Sequence, residues 1–219
     1  QAVVLGEEGA VEGMEEGSVL VDMSTISPAT TRLIAAALED HGVAMLDAPV
    51  SGGSEGAANG TLSIMVGGDE AVLERERSVL DVLGTTVTHV GPVGSGQVTK
   101  AVNQVIIAGT YAAIAEGLAL GLAAGIDIEA AHAAVSGGAA GSWGLTNRGP
   151  NMIHNHYPLG FRTRLHRKDL GIALASARDL GAAYVEQLET SLVKRGYGDE
   201  DVSNIARIVR EQAGLDEEG

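Results

Sequence analysis

Gly91-Pro92-Val93-Gly94-Ser95-Gly96 separates two parts of the chain that differ in sequence pattern. Glycine and proline interrupt helices and strands, so this stretch is expected to connect two regular regions. Short apolar runs alternate with helical patterns before it, whereas the pattern after it is helical throughout. The sequence therefore predicts an α/β portion at residues 1–93, followed by an all-α portion at residues 94–219.

The α/β portion contains short apolar runs, which predict β-strands, and amphipathic segments, which predict helices. The predicted strands are residues 3–5, 19–23, 44–47, 62–66 and 87–90. The predicted helices are residues 28–41, with Pro28 in the first turn, and residues 69–83, with Asp69 as the cap. Strands that alternate with helices are typical of a βαβ sheet layer.

The all-α portion begins with a long apolar segment and continues with shorter ones. Helices are predicted at residues 97–124, 128–136, 142–154, 167–180, 183–194 and 202–213. The acidic end at residues 216–219 is expected to fray. Asn103, Gln104 and Glu116 interrupt the longest apolar run, which is therefore interpreted as a core helix, with no membrane as partner.

No Gly-x-Gly-x-x-Gly turn occurs in the sequence, although a dinucleotide-binding sheet normally begins with a strand, that turn and a helix. We therefore expect the chain to begin partway through such a sheet, as an N-terminally truncated form. Residues 1–93 are then the C-terminal part of a Rossmann-like domain. The first residues carry no positively charged segment of a secretory signal, so a cytoplasmic location is expected.

The composition excludes several classes of function. The chain carries 14 Lys and Arg against 29 Asp and Glu, a formal net charge of −15, which argues against nucleic acid as a partner. It contains no cysteine, so disulfide scaffolds, thiolate metal sites and cysteine nucleophiles are excluded. The histidines do not show the spacing of metal ligands on a helix, and no metal site is predicted.

Polar and glycine-rich segments follow two of the predicted strands. Ser51-Gly52-Gly53-Ser54-Glu55-Gly56 could present backbone N–H groups to a carboxylate or phosphate, or be a flexible connection. Ser24 and Thr25 stand at the carboxyl end of another strand, where open α/β sheets bind ligands. The same two residues could instead cap the helix that begins near Pro28, and spacing alone favours the cap.

Lys100 is predicted in the first turn of the long helix, with Asn103 and Gln104 on the same face. A buried amine at a helix N-terminus is a candidate general acid or base, whereas a lone lysine there usually extends to solvent. The adjacent amides favour the first reading. His166-Arg167-Lys168-Asp169 is predicted to open another helix, and its cations could contact an anionic ligand or be solvated.

These strings together resemble the β-hydroxyacid dehydrogenase family, which includes 3-hydroxyisobutyrate dehydrogenase and 2-hydroxy-3-oxopropionate reductase. The matching strings, in the family's order, are Asp22-Met23-Ser24-Thr25, Asp47-Ala48-Pro49-Val50-Ser51-Gly52-Gly53, Gly60-Thr61-Leu62, Gly94-Ser95-Gly96-Gln97, Lys100, Asn103-Gln104 and Lys168-Asp169-Leu170. Several motifs in register are far more specific than any one of them. Pro158-Leu159-Gly160-Phe161 departs from the family's usual Pro-Gly-Phe.

The resemblance implies an oxidoreductase that uses NAD or NADP and interconverts a small 3-hydroxy acid and its semialdehyde. It implies a nicotinamide-binding domain, a helical substrate and dimerisation domain, and a homodimer or homotetramer. The implied roles are catalysis at Lys100 with Asn103 as its partner; substrate carboxylate binding at Ser51, Gly52 and Gly53; and cofactor binding at Ser24, Thr25 and Lys168.

Three alternatives stay open at this point. The substrate could be 2-hydroxy-3-oxopropionate (tartronate semialdehyde) rather than 3-hydroxyisobutyrate. A decarboxylating phosphogluconate dehydrogenase is disfavoured, because Asn103-Gln104 stands where that type usually has a His-Asn pair. The chain could also be a non-catalytic dimerisation module, since many glycines and alanines of the long helix would let helices approach closely.

Overall fold

The computed structural model describes residues 1–176 and 183–215 of the chain, which divides into two compact units, Gln1–Asn103 and Gln104–Gly219. The first unit contains a sheet with flanking helices, and the second is mostly helical. The fold class is therefore the predicted one, α/β followed by all-α. The last residues of the helix predicted at 167–180, and the fraying predicted at 216–219, lie outside the described residues.

The chain forms helices and strands with these bounds. In the first unit they are α1 (Ala2–Leu5), β1 (Val19–Asp22), α2 (Pro28–Glu39), β2 (Ala44–Asp47), β3 (Val50–Ser51), α3 (Gly53–Asn59), β4 (Leu62–Gly67), α4 (Glu70–Leu83) and β5 (Gly84–Gly91). The long helix α5 (Ser95–Ala123) begins in the first unit and ends in the second. The second unit continues with α6 (Ile128–Ser136), α7 (Trp143–Ile153), α8 (Thr163–Ser176), α9 (Ala183–Lys194) and α10 (Ile205–Gln212). Two 3₁₀ turns, Ala10–Gly13 and Val202–Asn204, precede β1 and α10.

The sheet of the first unit is mixed. β1 pairs with β2 in parallel, and β4 pairs with β5 in parallel. β4 runs antiparallel to both β2 and β3, because the chain turns back after β3 through the short helix α3. This reversal brings the carboxyl end of β2, at Asp47, beside the end of β4, at Gly67.

Helices α2 and α4 cover opposite faces of this sheet. Consecutive side chains of a strand point to opposite faces, and Met45 packs with one cluster while its neighbour Leu46 packs with another. The cluster at Met45 includes Ile34 of α2, and the cluster at Leu46 includes Leu73 of α4. The sheet is thus the middle layer of three.

Side-chain caps explain where two of the predicted helices begin. The Asp69 carboxylate accepts hydrogen bonds from the backbone N–H groups of Ala71 and Val72, which confirms it as the cap of α4. Ser27 caps α2 through the N–H of Ala29. The prediction that Ser24 and Thr25 form this cap is therefore wrong, because Ser27 stands closer to the helix.

Two short segments of the first unit differ from the predictions. Residues 3–5 form part of the single helical turn α1 rather than a strand, and the Gln1 carbonyl accepts the N–H of Leu5 at 2.8 Å. An apolar run this short has no periodicity that separates a helix from a strand. Residues 51–56, predicted as a loop, instead end β3 and begin α3.

The second unit is built around the apolar faces of its helices. Its core combines side chains from α5, α7, α8, α9 and α10, among them Leu118, Met152, Leu170, Leu192 and Ile205. The predicted helices at residues 128–136 and 183–194 have the observed bounds of α6 and α9. The helix predicted at 202–213 is divided, because a 3₁₀ turn precedes α10.

Within the described residues, α5 is long and apolar enough to cross a membrane, judged by length and composition alone. The core helix of a soluble protein passes the same test. Three polar side chains of α5, Gln97, Lys100 and Gln104, are buried.

Candidate functional site

Lys100 and Asn103 lie three residues apart on α5, in the first unit. The helix begins at Ser95 rather than at residue 97, so Lys100 stands in its second turn and not in the first as predicted. The side chain of Lys100 is nevertheless buried, with a relative exposure of 8%. A buried amine can exchange a proton with a bound ligand without competition from bulk water.

The turn from β3 into α3 carries the predicted substrate-binding residues. Gly52 and Gly53 have φ angles of +137° and +64°, in the region that favours glycine, so this turn depends on residues without a Cβ. The hydroxyl of Ser51 lies 3.5 Å from Oδ1 of Asn103. The structure therefore brings the predicted substrate loop to the helix that bears Lys100.

Ser24 and Thr25 follow the carboxyl end of β1, as predicted. The backbone N–H of Ser24 donates to Oδ1 of Asp22 at 3.0 Å, and the Ser24 hydroxyl donates to the same oxygen. The Ser24 hydroxyl is thus hydrogen-bonded to Asp22 within the same turn. Thr25 is the next residue along the chain.

Gln97 contacts this same turn, and the sequence analysis did not single it out. Its side-chain Nε2 donates to the carbonyl oxygen of Ser24 at 2.8 Å, and its Oε1 accepts the N–H of Ile26 at 3.1 Å. The Gln97 side chain is almost fully buried. The only signal in the sequence was its place in the matching string Gly94-Ser95-Gly96-Gln97.

Asp47 was also missed as a functional candidate. It is fully buried, and its two carboxylate oxygens accept the backbone N–H groups of Gly94 at 2.7 Å and Gln97 at 2.9 Å. Burial raises the pKa of Asp47, while these two hydrogen bonds act in the opposite direction. A carboxylate at the N-terminus of α5 also complements the helix dipole.

The start of α5 approaches the sheet so closely that only glycine fits. A Cβ at Gly96 would lie 2.5 Å from the carbonyl oxygens of both Asp47 and Met65. A Cβ at Gly67 would lie 2.5 Å from Oδ1 of Asp47. The glycines around Asp47 thus permit the contact between the sheet and the helix that carries Lys100.

His166-Arg167-Lys168-Asp169, in the second unit, is predicted to begin a helix. The prediction is wrong, because α8 already begins at Thr163 and the four residues lie inside it. Nζ of Lys168 lies 2.9 Å from Oδ1 of Asp169, and the lysine side chain is 49% exposed. The other carboxylate oxygen of Asp169, Oδ2, accepts a hydrogen bond from Nε2 of Gln104 at 2.7 Å. Lys168 is therefore paired with Asp169 and also accessible to solvent.

His166 is buried within the second unit rather than exposed at a helix start. Its Nδ1 lies 2.6 Å from Oε1 of Glu189, and its Nε2 lies 3.2 Å from the carbonyl oxygen of Gln104. Burial raises the pKa of Glu189, while the hydrogen bond and the charge of His166 favour its ionised form. This pair holds α8, α9 and α5 together within the unit.

Two protein-family models match the chain. The NAD-binding domain of 6-phosphogluconate dehydrogenase matches residues 1–91, and the NAD-binding domain of NADP-dependent 3-hydroxyisobutyrate dehydrogenase matches residues 94–209. The second match covers more than half of the chain.

Three individual proteins illustrate the similarity. An uncharacterized oxidoreductase of Shewanella frigidimarina is 46% identical over 84% of this chain and 65% of its own length. The 2-hydroxy-3-oxopropionate reductase of Escherichia coli is 44% identical over 82% of this chain and 62% of its own length. A solved structure, 3-hydroxyisobutyrate dehydrogenase from Salmonella typhimurium, is 34% identical with a TM-score of 0.83, and the match covers 92% of this chain and 73% of that one. The chain thus spans under two thirds of the length of the first two relatives.

Proposed function

Because the chain belongs to the β-hydroxyacid dehydrogenase family, we propose that its protein is an NAD(P)-dependent oxidoreductase acting on a small 3-hydroxy acid. The reaction would interconvert this acid and its semialdehyde. The proposed substrate is of the 3-hydroxyisobutyrate type, and 2-hydroxy-3-oxopropionate is the alternative within the same class. A relative that is named for the second compound supports keeping this alternative.

One observation carries the proposal: Ser51 and the buried Lys100 belong to segments that meet at Asn103. The Ser51 hydroxyl is 3.5 Å from Oδ1 of Asn103, and Lys100 precedes Asn103 by three residues on α5. A substrate whose carboxylate binds at the Ser51-Gly52-Gly53 turn would thus have its hydroxyl close to the helix that bears the amine. Such positioning supplies much of the rate in reactions of this kind.

In the proposed mechanism Lys100 moves the proton. During oxidation, its neutral amine accepts the proton of the substrate hydroxyl as the C–O bond becomes a carbonyl, and during reduction it returns that proton. The amide of Asn103 orients the reacting groups. A bound nicotinamide cofactor supplies the hydride acceptor or donor. The Ser51-Gly52-Gly53 turn holds the carboxylate, so that the reacting carbon keeps one orientation.

The residues that follow β1 suit the nicotinamide end of the cofactor. They lie at the carboxyl end of a strand, where open sheets bind ligands, and Thr25 offers a hydroxyl there. The exposed cation of Lys168 is the proposed second contact to the cofactor. The sequence contains no Gly-x-Gly-x-x-Gly turn, the motif that binds the pyrophosphate in dinucleotide-binding sheets, and the proposed cofactor is NAD or NADP.

The proposed domain division follows the same reading. Residues 1–93 would belong to the Rossmann-like cofactor domain, and residues 94–219 would form the helical domain for substrate binding and dimerisation. The two matched family segments, residues 1–91 and 94–209, support this division. A cytoplasmic location is also part of the proposal.

A homodimer or homotetramer is also proposed, on the basis of one face of α5. Ile106 and Leu120 are 62% and 72% exposed, and the exposed residues between them include Gly109, Ala113 and Gly117. A largely apolar face with small residues allows close helix packing against a second copy. The non-catalytic dimerisation module remains the rival, and the buried Lys100 beside the Ser51 turn favours the enzyme.

Replacement of Lys100 tests the proposal. We expect Lys100→Ala, in the protein expressed from the complete gene, to lower kcat about 10²–10⁴-fold, the usual contribution of general acid–base catalysis. Added methylamine should restore part of the activity by filling the vacated position. The exposed Lys194, at the end of α9, offers a matched control, and Lys194→Ala should leave kcat unchanged.

The assays should compare 3-hydroxyisobutyrate, tartronate semialdehyde and 6-phosphogluconate with NAD(H) and NADP(H). Near wild-type kcat in Lys100→Ala would refute the role of Lys100. A kcat/KM that is highest for 6-phosphogluconate would refute the substrate class. Absence of turnover with every pair, despite binding of NAD(P)H, would favour the non-catalytic alternative.

A further inference from the structure

We propose that Gln97 is a positioning residue of the reaction, which holds Thr25 at a set distance from the helix that carries Lys100. The inference rests on the proposed function, because it takes Thr25 as a cofactor contact and Lys100 as the acid or base. It adds a residue that touches neither substrate nor cofactor. Gln97 would act through the backbone on both sides of Thr25.

The Gln97 carboxamide binds the two peptide groups that flank Thr25. Its Nε2 donates to the carbonyl oxygen of Ser24 at 2.8 Å, and its Oε1 accepts the N–H of Ile26 at 3.1 Å. Both distances are those of normal hydrogen bonds. Since one side chain binds before and after Thr25, the backbone of Thr25 cannot shift without breaking one of these bonds.

The other end of Gln97 is held just as firmly. Its side chain is only 1% exposed, and its own backbone N–H donates to Oδ2 of Asp47 at 2.9 Å. Oδ1 of Asp47 accepts the N–H of Gly94 at 2.7 Å, and Asp47 is itself fully buried at the end of β2. The start of α5 is therefore anchored to the sheet at the point from which Gln97 extends.

Gln97 and Lys100 are three residues apart on α5, so they lie on adjacent turns of one helix face. A rigid helix fixes the distance between their backbones. A shift of Thr25 relative to Gln97 is therefore also a shift relative to Lys100. Hydride transfer is sensitive to such shifts, since a misplacement of about 1 Å can lower a rate about 10²-fold.

A purely structural role would require only that position 97 be filled. The observed contacts require a side chain with both a donor and an acceptor in one planar group. The donor must face the carbonyl oxygen of Ser24, and the acceptor must face the N–H of Ile26. Methionine has nearly the same length without either function. Glutamate keeps the acceptor, and it regains a donor only when its carboxyl group is protonated.

The experiment compares Gln97→Met and Gln97→Glu with the wild-type protein expressed from the complete gene. We expect Gln97→Met to lower kcat about 10–100-fold, with KM for the hydroxy acid changed less than about twofold. The deuterium isotope effect on kcat, with substrate labelled at the carbinol carbon, should rise, because hydride transfer becomes the slow step. Amide exchange at Ile26 should become faster.

The pH dependence of Gln97→Glu distinguishes hydrogen bonding by residue 97 from a role in which the side chain only fills space. The ratio of its kcat to that of wild type should rise as the pH falls, because the protonated carboxyl group again offers a donor and an acceptor. Gln97→Met should show no such rise. Thr99→Ala, on the same helix turn, is the matched control, since the Thr99 hydroxyl donates to the carbonyl oxygen of Ser95 within α5, and its kcat should be unchanged.

An unchanged kcat and isotope effect in Gln97→Met, in an active wild-type background, would overturn the inference while leaving the proposed function intact. Equal pH dependence of Gln97→Glu and Gln97→Met would overturn it as well. Absence of NAD(P)-linked turnover in the wild-type protein would instead refute the proposed function, and this role of Gln97 with it.

Discussion

The buried pair of His166 and Glu189 allows one prediction to be worked out from hydrogen-bond chemistry. Nε2 of His166 faces the carbonyl oxygen of Gln104 at 3.2 Å, and since a carbonyl only accepts, Nε2 must carry a proton. Nδ1 faces Oε1 of Glu189 at 2.6 Å, so a further proton must lie between these two atoms. Glutamine at position 189 could donate a hydrogen bond to Nδ1 of His166 from its amide. Position 189 would then carry no ionisable group.

The direction of the pH dependence follows from the raised pKa of Glu189, which is due mainly to burial. A group whose pKa is higher in the folded than in the unfolded state retains its proton on folding. Its contribution to stability is present below its ordinary pKa of 4.5 and is lost as the pH rises through the raised value. One proton corresponds to a loss of at most about 1.4 kcal/mol per pH unit.

We therefore expect Glu189→Gln to lose less stability than wild type as the pH rises above about 4.5, the ordinary pKa of this group. At the acid end of this range the two should differ by no more than about 1 kcal/mol, because the hydrogen bond to Nδ1 is retained. Glu189→Ala should instead be destabilised by about 3–5 kcal/mol, since it leaves His166 buried without that partner.

Urea unfolding, followed by the fluorescence of Trp143 at a series of pH values, would measure these differences, because Trp143 lies in the same unit. Glu211→Gln is the matched control in the same unit. Glu211 forms an exposed ion pair with Arg195, which is worth at most about 1 kcal/mol. Parallel stability curves for wild type and Glu189→Gln across the whole range would refute the reasoning.

Three further predictions concern the glycines, the substrate turn and the apolar helix face. Gly96→Ala should destabilise the fold or prevent it, because its Cβ would lie 2.5 Å from two carbonyl oxygens. Gly171→Ala should instead raise stability by about 0.5–1 kcal/mol, because among the described residues a Cβ there meets no atom within 4 Å outside the backbone of its own helix; thermal unfolding checks both. Glu55→Gln should lower KM for the carboxylate substrate about two- to fivefold, because the charge of Glu55 repels a carboxylate bound at this turn. Oε2 of Glu55 lies 3.0 Å from where a Cβ of residue 53 would stand. An unchanged KM in steady-state assays would count against carboxylate binding at this turn. Ile106→Lys should shift the protein toward monomers in sedimentation velocity, and an unchanged sedimentation coefficient would count against this helix face as the contact.

Much of the secondary structure could be predicted from local patterns. Asp69 caps α4 as predicted, and α6 and α9 have the predicted bounds, because their periodicity and their neighbouring caps lie within a few residues. The short segments were predicted less well. The run at residues 3–5 became a helical turn and the loop after Val50 became β3 and α3, since so few residues contain no measurable period.

The sequence by itself determined the order of an α/β and a helical portion, the acidic charge and the spacing of Lys100 and Asn103, because each depends on residues that are close along the chain. Only the tertiary structure decided that Gln97 binds on both sides of Thr25, about 70 residues away, and that Asp47 accepts the N–H groups at the start of α5. These partners meet because β4 runs antiparallel to β2 and returns the chain to the end where Asp47 stands. A hydrogen bond between distant residues has no local pattern, since it depends on which elements the packing of the core brings together.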